Sequence, residues 1–125
     1  MTDAKKKVLI IDDDPMICET VRLALVHEGY DAKALAKPEE AFARVQSERP
    51  DLVILDLYMP DVNGWDICRK LKADPELKRI PVMIFTGSNE TVDVIAGIDA
   101  GAFEYITKPV DGAVLIKKIK EKLRA

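Results

Sequence analysis

Apolar and polar positions change rhythm at regular intervals along the chain, and each change predicts an element. "KVLIID" (7–12) is a short apolar run closed by acid, as in a strand buried on both faces. Asp14 then supplies an N-cap and Pro15 a first helical residue. Ile17, Val21, Ala24 and Leu25 form one stripe of the helix that follows, and Gly29 ends it. "YDAKAL" (30–35) alternates as a strand. Pro38 opens a second helix that turns Ala41, Phe42 and Val45 inward and closes before Pro50. "DLVILDL" (51–57) predicts the most buried strand, "MPDVNG" (59–64) a loop, and Trp65 to Ala73 a third helix. "PVMIFT" (81–86) predicts a fourth strand, Asn89 to Ala100 a fourth helix and "FEYIT" (103–107) a fifth strand. Ala113 to Arg124 predicts a last helix, with Leu115, Ile119 and Leu123 spaced by four.

Five strand–helix units in succession predict an α/β fold, a doubly wound parallel sheet with helices on both faces. The expected organisation is a basic tail over residues 1–6 and one domain over 7–125, with no output domain after the last helix. No repeat, low-complexity segment or internal linker interrupts it.

In such sheets ligands sit beyond the carboxyl ends of the strands. The first strand delivers Asp12 and Asp13 there, the third Asp56, the fourth Thr86 and Gly87, and the fifth Thr107, Lys108 and Pro109. Three converging carboxylates repel one another, and a hard divalent cation resolves the conflict. A few oxygen ligands with room for water suit Mg²⁺ better than an all-protein calcium cage. His27 is the single histidine, which argues against zinc. A cation, the Lys108 ammonium and the Thr86 hydroxyl around a carboxylate would stabilise a transferring phosphoryl group. Asp56, at the end of the most central strand, is the candidate nucleophile. Each piece alone is ordinary: an acidic helix cap, a Lys-Pro turn, a strand-end hydroxyl. Their conjunction at four strand ends carries the signal.

Composition narrows the classes. The chain has 125 residues and a formal net charge of −3, which gives no bulk attraction to nucleic acid. No apolar stretch reaches the roughly 20 residues needed to span a bilayer, and "MTDAKKK" has no apolar segment behind it as a secretory signal would. Cys18 and Cys68 have neither metal nor disulfide-framework spacing and read as helix thiols, which fits a reducing cytoplasm.

The pieces "IIDDDP", "PDLVILDLYMPDVNGWD", "PVMIFTG" and "AGAFEYITKPV" together resemble the receiver domains of two-component response regulators over essentially the whole chain. The resemblance implies the strand order 2-1-3-4-5. It implies that Asp56 accepts a phosphoryl group from a sensor histidine kinase or a histidine phosphotransfer protein. Asp13, Asp56 and the Tyr58 backbone carbonyl would ligate Mg²⁺, and Asp12 would hold a coordinating water. Lys108 and Thr86 would contact phosphoryl oxygens, and Gly87 and Ser88 would form the loop beside the phosphate. The Lys108–Pro109 peptide would be cis, and Thr86 and Tyr105 would be the switch pair. The face made by the fourth helix, fifth strand and last helix would then change for a downstream protein target, as monomer or phosphorylation-dependent dimer. The domain would catalyse its own phosphorylation and dephosphorylation while acting primarily as a signalling switch. Tyr58 and Ser88 occupy positions that flank the route of attacking water in relatives.

Two folds with related chemistry fit less well. A flavodoxin needs a Ser/Thr/Gly-rich phosphate loop where "DDDP" stands. A haloacid-dehalogenase-like phosphatase needs a second Asp two residues after its nucleophile, and Tyr58 stands there. A receiver-like module that takes no phosphate is disfavoured by the complete set Asp12, Asp13, Asp56, Thr86 and Lys108. Met16, Leu23 and Val26 lie off the core stripe of the first helix, which in relatives docks the phosphodonor. The expectation is that one or two of them pack inward. Val92 is spare on the fourth helix, and His27 reads as a surface histidine rather than a phosphorelay site.

Overall fold

Uninterrupted apolar runs form the strands. The computed structural model describes residues 5–59, 62–86, 104–107 and 112–123, with the backbone alone for Tyr58, Thr86, Tyr105 and Thr107. In chain order these residues form β1 (Lys7–Ile11), α1 (Pro15–His27), β2 (Asp31–Leu35), a 3₁₀ turn (Pro38–Glu40), α2 (Ala41–Glu48) and β3 (Leu52–Leu55). There follow β4 (Tyr58–Met59), β5 (Val62–Asn63), α3 (Gly64–Ala73), β6 (Val82–Thr86), β7 (Glu104–Thr107) and α4 (Gly112–Leu123). The predicted helix over 89–100, with Val92, lies outside the described residues. None of the described helices is long and apolar enough to cross a membrane.

Five strands pair in parallel in the order β2-β1-β3-β6-β7. This is the doubly wound α/β sheet, with the order 2-1-3-4-5 among its long strands. Alternation along each strand divides the core in two. Leu9, Ile11, Val53, Leu55, Val82 and Ile84 pack with Ala41 and Val45 of α2 and with Ile67, Cys68 and Leu71 of α3. Val8, Ile10, Leu52, Ile54, Met83 and Phe85 pack with Cys18, Val21 and Leu25 of α1 and with Leu115 and Ile119 of α4. Helices therefore cover both faces.

Local chemistry sets the helix ends. Asp14 caps α1: its Oδ1 accepts from the Met16 N–H at 2.9 Å and the Ile17 N–H at 3.4 Å, with Pro15 in the first turn. Gly29 follows the helix at φ +94°, a conformation that favours glycine. Asp14→Ala should lower unfolding free energy by about 1 kcal/mol, read from the urea midpoint at unchanged slope.

Three details depart from the expectation. Pro38 opens a 3₁₀ turn rather than an α-helix. Lys37 before it makes no side-chain cap, and the tighter turn precedes the α-helical start at Ala41. The expected loop over 59–64 contains an antiparallel pair, Tyr58 opposite Asn63 and Met59 opposite Val62. Met16, Leu23 and Val26 do not pack inward: they are 77%, 53% and 45% exposed. The stripe Cys18, Val21 and Leu25 already fills the sheet-facing side of α1. Both cysteines are buried thiols that form no disulfide, and His27 is exposed.

Candidate functional site

The register of the two central strands builds the site. Ile11 of β1 stands beside Leu55 of β3, so the residues that follow the two strands, Asp12 and Asp56, leave the sheet side by side. Asp12 continues the alternation of Val8 and Ile10, and Asp56 that of Leu52 and Ile54, so both fall toward the α1 face. The main chain holds them there: the Asp56 N–H donates to the Ile11 carbonyl at 2.9 Å and the Asp12 N–H to the Leu35 carbonyl at 3.2 Å. Asp12 is further gripped by the Asp14 N–H, which donates to its Oδ1 at 2.9 Å, and by the Cys18 thiol, which donates to its carbonyl at 3.2 Å.

Asp12 and Asp56 are buried, 1% and 5% exposed, and Asp13 is half-buried. One carboxylate oxygen of each lies within 4.8 Å of those of the others. With all three ionised, each pair at that separation repels by about 3 kcal/mol at an effective dielectric constant near 20. Buried charges are retained when paired or coordinating a metal. An all-oxygen set of this compactness can hold a hard divalent cation.

The other proposed site residues divide by place. The Tyr58 backbone belongs to β4, two residues beyond Asp56. Thr86 ends β6 opposite Thr107 of β7, and Tyr105 stands opposite Ile84. The sheet thus carries Thr86 to the same carboxyl edge as Asp12 and Asp56. Gly87, Ser88, Lys108 and Pro109 lie outside the described residues.

One neighbour of the acids is missing from the sequence reading. Gly64, read as the end of a loop, is the first residue of α3, and its N–H donates to the Leu57 carbonyl at 3.0 Å. Asn63 caps the helix by accepting from the Trp65 N–H at 2.8 Å. An Asn-Gly pair ahead of a helical period signals this start. Trp65, the sole tryptophan, is buried with Leu57 and Met59.

The family described as the response regulator receiver domain matches residues 8–120. Among curated proteins, the DNA-binding response regulator MtrA of Mycolicibacterium smegmatis is 36% identical over 124 residues, which is 99% of this chain and 53% of the relative. The transcriptional regulatory protein AfsQ1 of Streptomyces coelicolor is 33% identical over 94% of this chain and 51% of its own length. This chain spans about half the length of these curated relatives. Among solved structures, the CheY-like receiver domain protein of Methanospirillum hungatei superposes with a TM-score of 0.88 at 33% identity, covering 97% of this chain and 95% of that one. The chemotaxis response regulator CheY4 of Vibrio cholerae gives 0.89 at 28% identity, covering 96% and 100%.

Proposed function

Because this chain belongs to the response regulator receiver domain family, whose function is a phosphorylation switch in two-component signalling, we propose that Asp56 is its phosphoacceptor. One observation carries the reading: three carboxylates from two central strands meet within 4.8 Å at the carboxyl edge of a parallel sheet. Asp56 directly follows the strand whose four residues are all buried, so its carboxylate is held next to a rigid element.

Asp12, Asp13, Asp56 and the Tyr58 carbonyl would hold Mg²⁺, which when bound supplies positive charge to phosphoryl oxygens. The residues do the rest. An Asp56 carboxylate oxygen bonds to phosphorus as the bond to the donor imidazole nitrogen breaks, and the electron pair leaves with the imidazole. Lys108 and the Thr86 hydroxyl would meet the phosphoryl oxygens, with Gly87 and Ser88 as the loop beside the phosphate. The product carries about −1.5 to −2 charge where one carboxylate stood. Thr86 is drawn toward it, and Tyr105, on the neighbouring strand, registers the shift on the outer face for a protein target. The same reading assigns the chain to the cytoplasm, with a histidine kinase or histidine phosphotransfer protein upstream. Nucleic-acid binding is no part of it, on the net charge of −3; the DNA binding in the name of MtrA belongs to that longer protein. Incubation with Mg²⁺ and acetyl phosphate tests the reading: one hydroxylamine-labile phosphate per chain is expected, and none would refute it.

The exposed apolar residues of α1 give the upstream partner a surface, since an unpartnered apolar helix face beside the site suits a helical donor. Leu23→Glu should slow transfer from a phosphohistidine donor by about tenfold, equivalent to about 1.4 kcal/mol of lost docking. Labelling by acetyl phosphate should stay near the parent rate. Equal effects on both donors would count against docking on this helix.

A further inference from the structure

Gly64 opens α3 directly against the peptide that carries Asp56. A Cβ built on it would fall far inside contact distance of the Asp56 carbonyl oxygen, and would lie 2.7 Å from the Leu57 Cα and 3.1 Å from the Leu57 carbonyl oxygen. Real Cβ atoms essentially never come closer than 3.0 Å, and all three obstacles are backbone. No side-chain rotation relieves the overlap. The φ of Gly64 lies outside the left-handed region, unlike that of Gly29. The position needs room, not conformational freedom.

The room is used. The Gly64 N–H closes onto the Leu57 carbonyl, and the β4–β5 pair closes the same stretch by Tyr58–Asn63 and Met59–Val62 pairing. Leu57, Met59 and Trp65 anchor it in one buried cluster. The stretch between Asp56 and Gly64 is thus fixed at both ends, with Asp56 tied to Ile11 on the other side.

We infer that Gly64 is a positioning residue of the acidic site. Its missing side chain lets α3 seat on the Asp56–Leu57 peptide, which fixes the Asp56 carboxylate relative to Asp12 and Asp13 and so sets the affinity of the cluster for a divalent cation. A methyl group there displaces the Asp56–Leu57 peptide and with it the Asp56 carboxylate from its place beside Asp12 and Asp13. The inference rests on the metal and phosphoacceptor reading above.

The test compares the parent, Gly64→Ala and Asn63→Ala by Mg²⁺ titration calorimetry, thermal melting and acetyl phosphate labelling. Gly64→Ala should weaken Mg²⁺ binding by about tenfold or more, as loss of a supporting group around a metal site does, and should label slowly even at saturating Mg²⁺. Asn63→Ala removes the α3 cap without adding an atom at the seam. It should melt lower yet keep an affinity close to the parent's. A folded Gly64→Ala with parental affinity and labelling overturns the inference, as does an equal loss of affinity in Asn63→Ala, which would point to general loosening. Should Gly64→Ala be unfolded in plain buffer, its Mg²⁺ titration is run with the fold restored by trimethylamine N-oxide, beside the parent in the same solvent: weaker binding than the parent's supports the inference and equal binding overturns it. A parent that binds no Mg²⁺ and takes no label removes the underlying reading itself, a result distinct from these.

Discussion

Asp56→Asn is expected to abolish labelling by acetyl phosphate and Mg²⁺, with a rate at least about a thousandfold below the parent's, as when the sole covalent nucleophile of a site is removed. The amide has nearly the volume of the carboxylate, and the Asp56 N–H bond to the Ile11 carbonyl involves only main chain. The variant should therefore fold as the parent does. What it lacks is an anionic oxygen able to form a mixed anhydride with phosphorus. Intact mass spectrometry reads the outcome directly. Undiminished phosphate on the variant would move the acceptor elsewhere, and Asp13, half-buried beside it, would be the next residue to change.

Mg²⁺ should raise the melting temperature of the parent, and Asp13→Asn should lose most of that rise. A ligand at a hundredfold excess over its dissociation constant stabilises by about 2.7 kcal/mol, on the order of 10 °C for a chain of this size. The carboxylate cluster supplies the reason: three acids within 4.8 Å repel one another when ionised, and a bound cation offsets that repulsion. Neutralising Asp13 relieves part of that repulsion, so the variant should melt above the parent in EDTA and below it in saturating Mg²⁺. The crossing of the two orders is the diagnostic, because a purely structural substitution shifts both conditions alike. A variant with the parental Mg²⁺ response would exclude Asp13 from the metal set.

The strands were legible because burial on both faces leaves continuous apolar runs, and β1, β3 and β6 are buried at nearly every position. Asp14-Pro15 made the start of α1 equally plain, since cap and first-turn chemistry are local. Once the sheet was parallel, the edge where Asp12, Asp13 and Asp56 meet followed from topology. What stayed hidden needs three dimensions. The β4–β5 pair has two residues on each side, too few to show a period. The role of Gly64 depends on a carbonyl eight positions earlier in the chain. The exposure of Met16, Leu23 and Val26 depends on how fully Cys18, Val21 and Leu25 already occupy the contact with the sheet.

The pairing of β1 with β3, Ile10 beside Ile54 and Ile11 beside Leu55, also restricts how this chain can vary by descent. Deleting or inserting one residue within β3 would swap the sides on which the β3 residues after that point lie, and Asp56 would turn with them from α1 toward α2 and α3. Such an indel would damage two halves of the interior and misdirect the acid in a single event. Viable length changes in homologous lineages should therefore gather in connections that do not pack against this strand.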